Sequence, residues 1–350
     1  MPMTEIRIDL YSDTQTRPTP AMRKAMAEAE VGDEQRGEDP TVNKLNAMVA
    51  KLLGKDGAVF LPSGTMCNQI AILVHCRPGD EVIADKSAHI INSEAGGPAT
   101  FAGVMVRPLD GKRGVYTAGQ MEAAVRGVKR NAPRSTLVVA EQTANSGGGT
   151  VWPLETLHEV GAAATRHGLL MHMDGARLMN AVIASGVAAK NFAEPFDSLW
   201  IDLSKGLGCP VGAVLAGGRE FIAEAWTWKQ RMGGAMRQAG VIAAAGVHAL
   251  EHHVDRMAED HENARAFAEA IANLPGIAVE EGVDSNMVFF NVEGTGLPAA
   301  EIHNRLLERG IRIGAYDRYR MRAVTHLDVN REAVVAAAEA VREVARGAAG

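Results

Sequence analysis

Short apolar runs alternate with amphipathic stretches through the middle of the chain. "TVNKLNAMVAKLLG" repeats its apolar positions at helical spacing and ends at a glycine, which predicts a helix with a glycine cap. "TMCNQIAILVHC" reads as a buried helix, closed by the turn "RPGD" and followed by the strand "EVIAD". Strand "STLVVAEQ", helix "LETLHEVGAAATRHG" and strands "LLMHMD" and "DSLWIDLS" continue the alternation. Short β-rich runs between amphipathic helices predict an α/β fold whose mostly parallel sheet is covered on both faces.

A long helical region from about Met236 to Leu274 leads into a different pattern. "SNMVFFNVEG", helix "AAEIHNRLLERG", strands "IRIGAY" and "MRAVTHLDV", and a final helix "REAVVAAAEAVREVARG" predict a smaller α+β layer. The expected division is a large domain over 1–250, whose N-terminal segment contributes to the site, and a small C-terminal domain over 251–350.

Composition narrows the function. With 350 residues, 47% of them hydrophobic, the chain can bury a large core. A net charge of −6 argues against nucleic acid as a partner. No apolar run is long enough to span a bilayer, and "MPMTEIRIDLYSD" lacks the apolar centre of a secretory signal. The three cysteines, Cys67, Cys76 and Cys209, cannot all pair within one chain and form no CxxC metal pair. A reduced, cytoplasmic enzyme without a bound metal is the expectation.

In parallel sheets ligands gather at the carboxyl ends of the strands. Three such ends carry unusual residues. "PSGTMCNQ" sets Ser63, Gly64 and Thr65 at a helix start, where amides and helix dipole suit a phosphate. "LLMHMDGARL" delivers Asp174 and, three positions on, Arg177. "WIDLSKGLGCPVGAVLAGG" brings Lys205 out of an apolar run into a glycine turn, 31 positions after the aspartate (205 − 174). Singly, each has an ordinary reading: an N-cap, a turn residue, a local ion pair, a surface lysine. Together they ask for one ligand with a phosphate, a ring nitrogen needing a carboxylate, and an aldehyde needing an amine. Pyridoxal phosphate has all three. The glycines let a flat ring approach the backbone, and a desolvated lysine is the more nucleophilic amine.

Eight motifs along nearly the whole chain then resemble the L-threonine aldolases. They are "IDLYSDTQTRPT", "GDEQRGEDPTVNKL", "PSGTMCNQ", "SAHIINSEAGG", "HMDGARLMNA", "LSKGLGCPVG", "GGAMRQAG" and "RAVTHLDV", in that order. The resemblance implies the aspartate-aminotransferase fold (fold type I, PLP-dependent transferase-like). It implies Lys205 as the Schiff-base lysine, Asp174 on the pyridine nitrogen, and His89 stacked on the ring. Gly64 and Thr65 would hold the phosphate, with Arg237 near it. Ser12, Arg177 and Arg322 resemble a clamp on the substrate carboxylate, which would select the bond that breaks. In an aldolase that bond is Cα–Cβ, with His89 or a water as the base. A homodimer or homotetramer is implied too.

The chain departs from the family pattern in three places. Where the family shows Glu-Asn-Thr-His, this sequence has "EQTANSGGG", with Ala144 in the histidine's place. Tyr11 stands for an arginine, and Arg36 for the tyrosine of a "VYGEDP" segment. A bulkier substrate such as phenylserine, or an anionic one such as β-hydroxyaspartate held by Arg36, therefore stands beside threonine. The rival chemistry is β-elimination on the same cofactor. The rival class is a catalytically silent, structural member. The stretch "WTWKQRMGGAMR" reads equally as an interface element or as core packing.

Overall fold

A computed structural model of the chain describes residues 5–127 and 129–346. Contacts divide these into two units. One is Pro18–Val254, and the other joins residues 5–17 to residues 255–346.

The larger unit is built on a seven-stranded sheet. Its order is Gly57–Leu61, Ala213–Gly217, Ser198–Asp202, Leu170–Asp174, Ser135–Glu141, Glu81–Asp85, Met105–Leu109. Six strands run one way, and Ala213–Gly217 pairs antiparallel with both of its neighbours. Glu81–Asp85, Ser198–Asp202 and Ala213–Gly217 are buried at every position, as a sheet covered on both faces requires. The predicted helices form as Pro40–Leu53, Gly64–His75 and Leu154–Arg166. Asp39 caps the first by accepting from the Thr41 and Val42 amides, and Gly54 closes it at φ 63°. The expected single helical region from Met236 to Leu274 is two helices, Gly240–His252 and Met257–Ile271, and the units divide between them.

Trp226 and Trp228, on helix Arg219–Arg231, pack partly buried against a core of Val59, Leu61, Ile70, Trp200 and Leu215. The neighbouring Lys229 is fully buried. Its ammonium lies 4.4 Å from the Trp226 ring centroid, donates to the Phe60 carbonyl at 2.7 Å, and pairs with the equally buried Glu34. Glu34 also accepts from the Met236 amide at 2.8 Å, while its own amide donates to the Arg237 carbonyl at 2.9 Å. One ion pair thus fastens two loops to a helix.

The smaller unit is a five-stranded sheet in the order Ile8–Leu10, Ile311–Ala315, Arg320–Val324, Met287–Asn291, Ala278–Val279. One face buries Leu10, Phe267, Phe290, Ile302, Ile313 and Val341 in a common core with helices Met257–Ile271, Ala299–Leu307 and Arg331–Arg346. Ile8–Leu10 pairs in parallel with Ile311–Ile313, so residues 5–17 group with this unit and not with the expected 1–250. That pairing joins positions some 300 residues apart, which no local pattern in the sequence reveals.

Removing one partner of a buried pair leaves an uncompensated charge. Lys229→Met is expected to cost about 3–5 kcal/mol in urea unfolding. The double variant Lys229→Met/Glu34→Leu recovers part of that loss, but not all, because the Met236 amide then lacks its acceptor.

Candidate active site

Four parallel strands of the larger unit end on an acid: Asp85, Glu141, Asp174 and Asp202. One oxygen of each shapes the loop that follows. Asp85 accepts from the Ser87 amide at 2.8 Å, Asp174 from Ala176 at 3.1 Å, Asp202 from Ser204 at 2.8 Å, and Glu141 from Asn145 at 2.8 Å. The other oxygen reaches across. Asp202 Oδ2 accepts from Lys205 Nζ at 2.7 Å, Glu141 Oε2 from the His89 amide at 2.6 Å, and Asp174 Oδ2 from Asn68 Nδ2 at 2.8 Å.

Asn68, buried on helix Gly64–His75, uses its whole carboxamide. Nδ2 donates to Asp174 and, at 2.7 Å, to Glu94 Oε1. Oδ1 accepts from the Trp200 indole N–H at 2.7 Å and faces His172 Nε2 at 3.1 Å. Because Oδ1 only accepts, His172 carries its proton on Nε2. Burial lowers the His172 pKa to about 3, so the ring is neutral and Nδ1 accepts from the Ser198 hydroxyl at 2.8 Å. His75 Nε2, 2.7 Å from the same hydroxyl oxygen, is then its donor, and burial lowers that ring's pKa to about 4. A one-way chain of donors runs from His75 through Ser198, His172 and Asn68 to Asp174.

Trp200 brings the expected residues together. A Cβ placed on Gly64 would overlap its ring, so the glycine lets the helix start lie against the indole. Lys205 Nζ lies 5.7 Å from the ring centroid. Ser63 caps the helix by accepting from the Met66 amide at 3.2 Å, and the Gly64 and Thr65 amides precede the first bond of the helical ladder, Cys67 N–H to Ser63 O.

His89 Nδ1 lies 2.8 Å from Glu94 Oε1. Burial opposes its charge, but Glu94, Asp174 and Glu141 outweigh burial and raise the imidazole pKa. Burial raises the Asp174 carboxyl, and burial with the Asp174 charge raises Glu141 to about 7. His89, Glu94 and Asp174 are the one group among the described residues with the donor spacing of a metal site. Asn68 already directs a proton at each acid, which a cation would have to displace. Burial lifts the Cys67, Cys76 and Cys209 thiols, so none is a ready thiolate.

Arg177 is buried, with its amide on the Gln142 carbonyl at 3.0 Å. Arg36 is exposed at the end of the short turn Glu34–Arg36, whose Glu34 is buried, and Arg237 pairs with Asp33 at 2.9 Å while remaining well exposed. Ser12 and Arg322 belong to the smaller unit, where Arg322 donates to the Tyr11 carbonyl at 3.2 Å and Ser12 accepts from the Thr14 amide at 3.2 Å. Asn68, Glu94, Glu141, His172 and Trp200 were not singled out from the sequence. Glu141 and Trp200 stand in apolar runs, as Asp174 does, and that was the available signal.

The beta-eliminating lyase family profile matches residues 9–294. A low-specificity L-threonine aldolase of Escherichia coli K12 is 41% identical over 326 residues, covering 93% of this chain and 95% of that one. Low-specificity L-threonine aldolase 1 of Arabidopsis thaliana is 41% identical over 325 residues, covering 91% of each. The chain belongs to the L-threonine aldolases of the beta-eliminating lyase family. A solved structure of Leishmania major threonine aldolase, 21% identical, shares the fold with a TM-score of 0.81 over 97% of this chain and 99% of that one. Within this aldolase-family member the acids at the strand ends are the scaffold, and Asn68 and Trp200 connect them to the helix start.

The neutral histidines leave a pH signature. Unfolded His75 binds a proton near pH 6.5, whereas the folded ring refuses it until about pH 4. Between those values the unfolded state holds more protons, so the share of stability due to His75 falls as pH falls. Urea unfolding of the parent and of His75→Gln is expected to show the parent losing stability relative to the variant across that window.

Proposed function

We propose that this chain is a pyridoxal-phosphate-dependent aldolase that splits threonine-like β-hydroxy-α-amino acids into glycine and an aldehyde. The observation that carries the reading is the arrangement about Trp200, where a lysine amine, a helix N-terminus and, through Asn68, a buried carboxylate meet one indole. The donor set fits the cofactor. Burial disfavours the charge on Asp174, and a protonated ring nitrogen is the cation that would restore it. The Gly64 and Thr65 amides, with Ser63, suit a phosphate.

When bound, pyridoxal phosphate supplies a ring that takes up the electron pair left at Cα as the Cα–Cβ bond breaks. Lys205 would hold its aldehyde carbon, exchanging the Asp202 ion pair for that bond. Asn68 and the Ala176 amide fix the Asp174 carboxylate from both sides, so its orientation is set before any ligand arrives. Glu94 facing Nδ1 keeps the His89 proton there, which leaves Nε2 to take the β-hydroxyl proton. Ala144 has no polar group to share that task. Arg177 would grip the substrate carboxylate, and resemblance alone assigns Ser12 and Arg322 to the same task, Arg36 to the β-substituent and Arg237 to the phosphate. Resemblance also supports a homodimer or homotetramer, and the free cysteines Cys67, Cys76 and Cys209 suit a reducing, cytoplasmic location. Among the described residues, no helix is long and apolar enough to cross a membrane.

The name of the matching family keeps β-elimination as a second reading. With L-threonine as substrate, glycine and acetaldehyde are expected in equal amounts; ammonia with a keto acid would overturn the aldolase reading. Borohydride reduction of the loaded protein is expected to label the Lys205 peptide. His89→Gln is expected to lower kcat by about 10²- to 10⁴-fold while the cofactor spectrum is retained. A panel of threonine, allo-threonine, phenylserine and β-hydroxyaspartate places the substrate, and a clear lead for threonine removes the case for a pocket remodelled by Ala144 and Arg36.

A further inference from the structure

A small cavity borders Glu141, the acceptor of the His89 amide, and is lined by Asp85, Ser87, Gly114, Tyr116, Ala144 and Trp152 among others, with about 10 Å³ open to the centre of a water molecule. That is room for one water and nothing larger. Trp152 is fully buried, and its indole N–H has no hydrogen-bond partner among the described residues. Buried donors of this kind are nearly always met. Tyr116, also fully buried, donates its hydroxyl to the Val139 carbonyl at 2.9 Å, which leaves its oxygen free to accept. The Glu141 oxygens each take one backbone N–H, from His89 and from Asn145, and each has a lone pair to spare. The Ser87 hydroxyl is committed to Asp85 at 2.5 Å.

We propose that this cavity binds one water molecule, which accepts from Trp152 Nε1 and donates to Tyr116 Oη and a Glu141 carboxylate oxygen. Three partners are what a retained interior water usually has. The bridge ties Trp152 to the carboxylate that holds the His89 amide, so the water is a positioning element for the start of the His89 helix. Position 144 controls it. A methyl at Gly114 would stand 2.7 Å from the Ala144 Cβ, so that flank is closed and a larger side chain at 144 grows into the cavity. The water site does not depend on which reaction the enzyme performs.

The test is a crystal structure of the holoenzyme at a resolution that shows ordered water, for the parent and for Ala144→Val. The parent is expected to show a density peak within hydrogen-bond distance of Trp152 Nε1, Tyr116 Oη and a Glu141 oxygen, and Ala144→Val is expected to lose it. A parent cavity without that peak overturns the proposal. Trp152→Phe gives an independent reading, since it keeps an aromatic ring and removes the donor. With a water bound, the variant loses a hydrogen bond and its thermal midpoint falls. In a dry cavity it sheds an unmet donor, and a rise in the midpoint would count against the water. Should Trp152→Phe fail to fold, the two crystal structures decide alone.

Discussion

Four hydrogen bonds on one side-chain amide hold the candidate site together. Asn68 gives both protons to carboxylates and receives both of its bonds from ring nitrogens, so its carboxamide has a single orientation that satisfies every neighbour. All of this lies away from water, where an unmet polar group costs about 1–3 kcal/mol. The amide therefore fixes the His172 tautomer, and through it the direction of the Ser198 and His75 bonds. It also fixes where the acidic oxygens of Asp174 and Glu94 point.

The strand ends supply the second constraint. A parallel sheet directs the carboxyl ends of its strands to one edge, and here that edge carries Asp85, Glu141, Asp174 and Asp202. Each acid divides its work between turning the chain and holding another group. A loop and the residue it presents are thus set by the same carboxylate, and moving one disturbs the other. Glu141 and Asp174 stand opposite each other in register, so burial and then the Asp174 charge raise the Glu141 carboxyl.

Lys205, Asp174 and the Ser63–Thr65 helix start were legible because each follows an apolar run and is conspicuous against it. Asn68 was not, because a polar residue inside a helix looks the same in sequence whether it faces solvent or a buried acid. Glu94 lies in a loop five positions past His89, and only the fold turns that loop back onto the imidazole. His172 alternates with apolar residues inside a strand and passes for an ordinary buried histidine. The parallel pairing of Ile8–Leu10 with Ile311–Ile313 depends on the two ends of the chain meeting. Ser12 and Arg322 came from family likeness alone. The alternation of helices and strands was read largely correctly, since periodicity is local. The strands Gly57–Leu61, Met105–Leu109 and Ala213–Gly217 went unread: the first begins and the last ends on glycine, and the middle one carries Arg107 and Pro108.

The placement of Trp200 has an optical consequence. Of the four tryptophans in the chain, this one has its ring 5.7 Å from the lysine nitrogen. With pyridoxal phosphate on Lys205, as proposed, this indole would pass its excitation to the coloured ring and dim. The protein would then carry an intrinsic gauge of how much of its own population is loaded, readable in dilute solution with no label and no substrate.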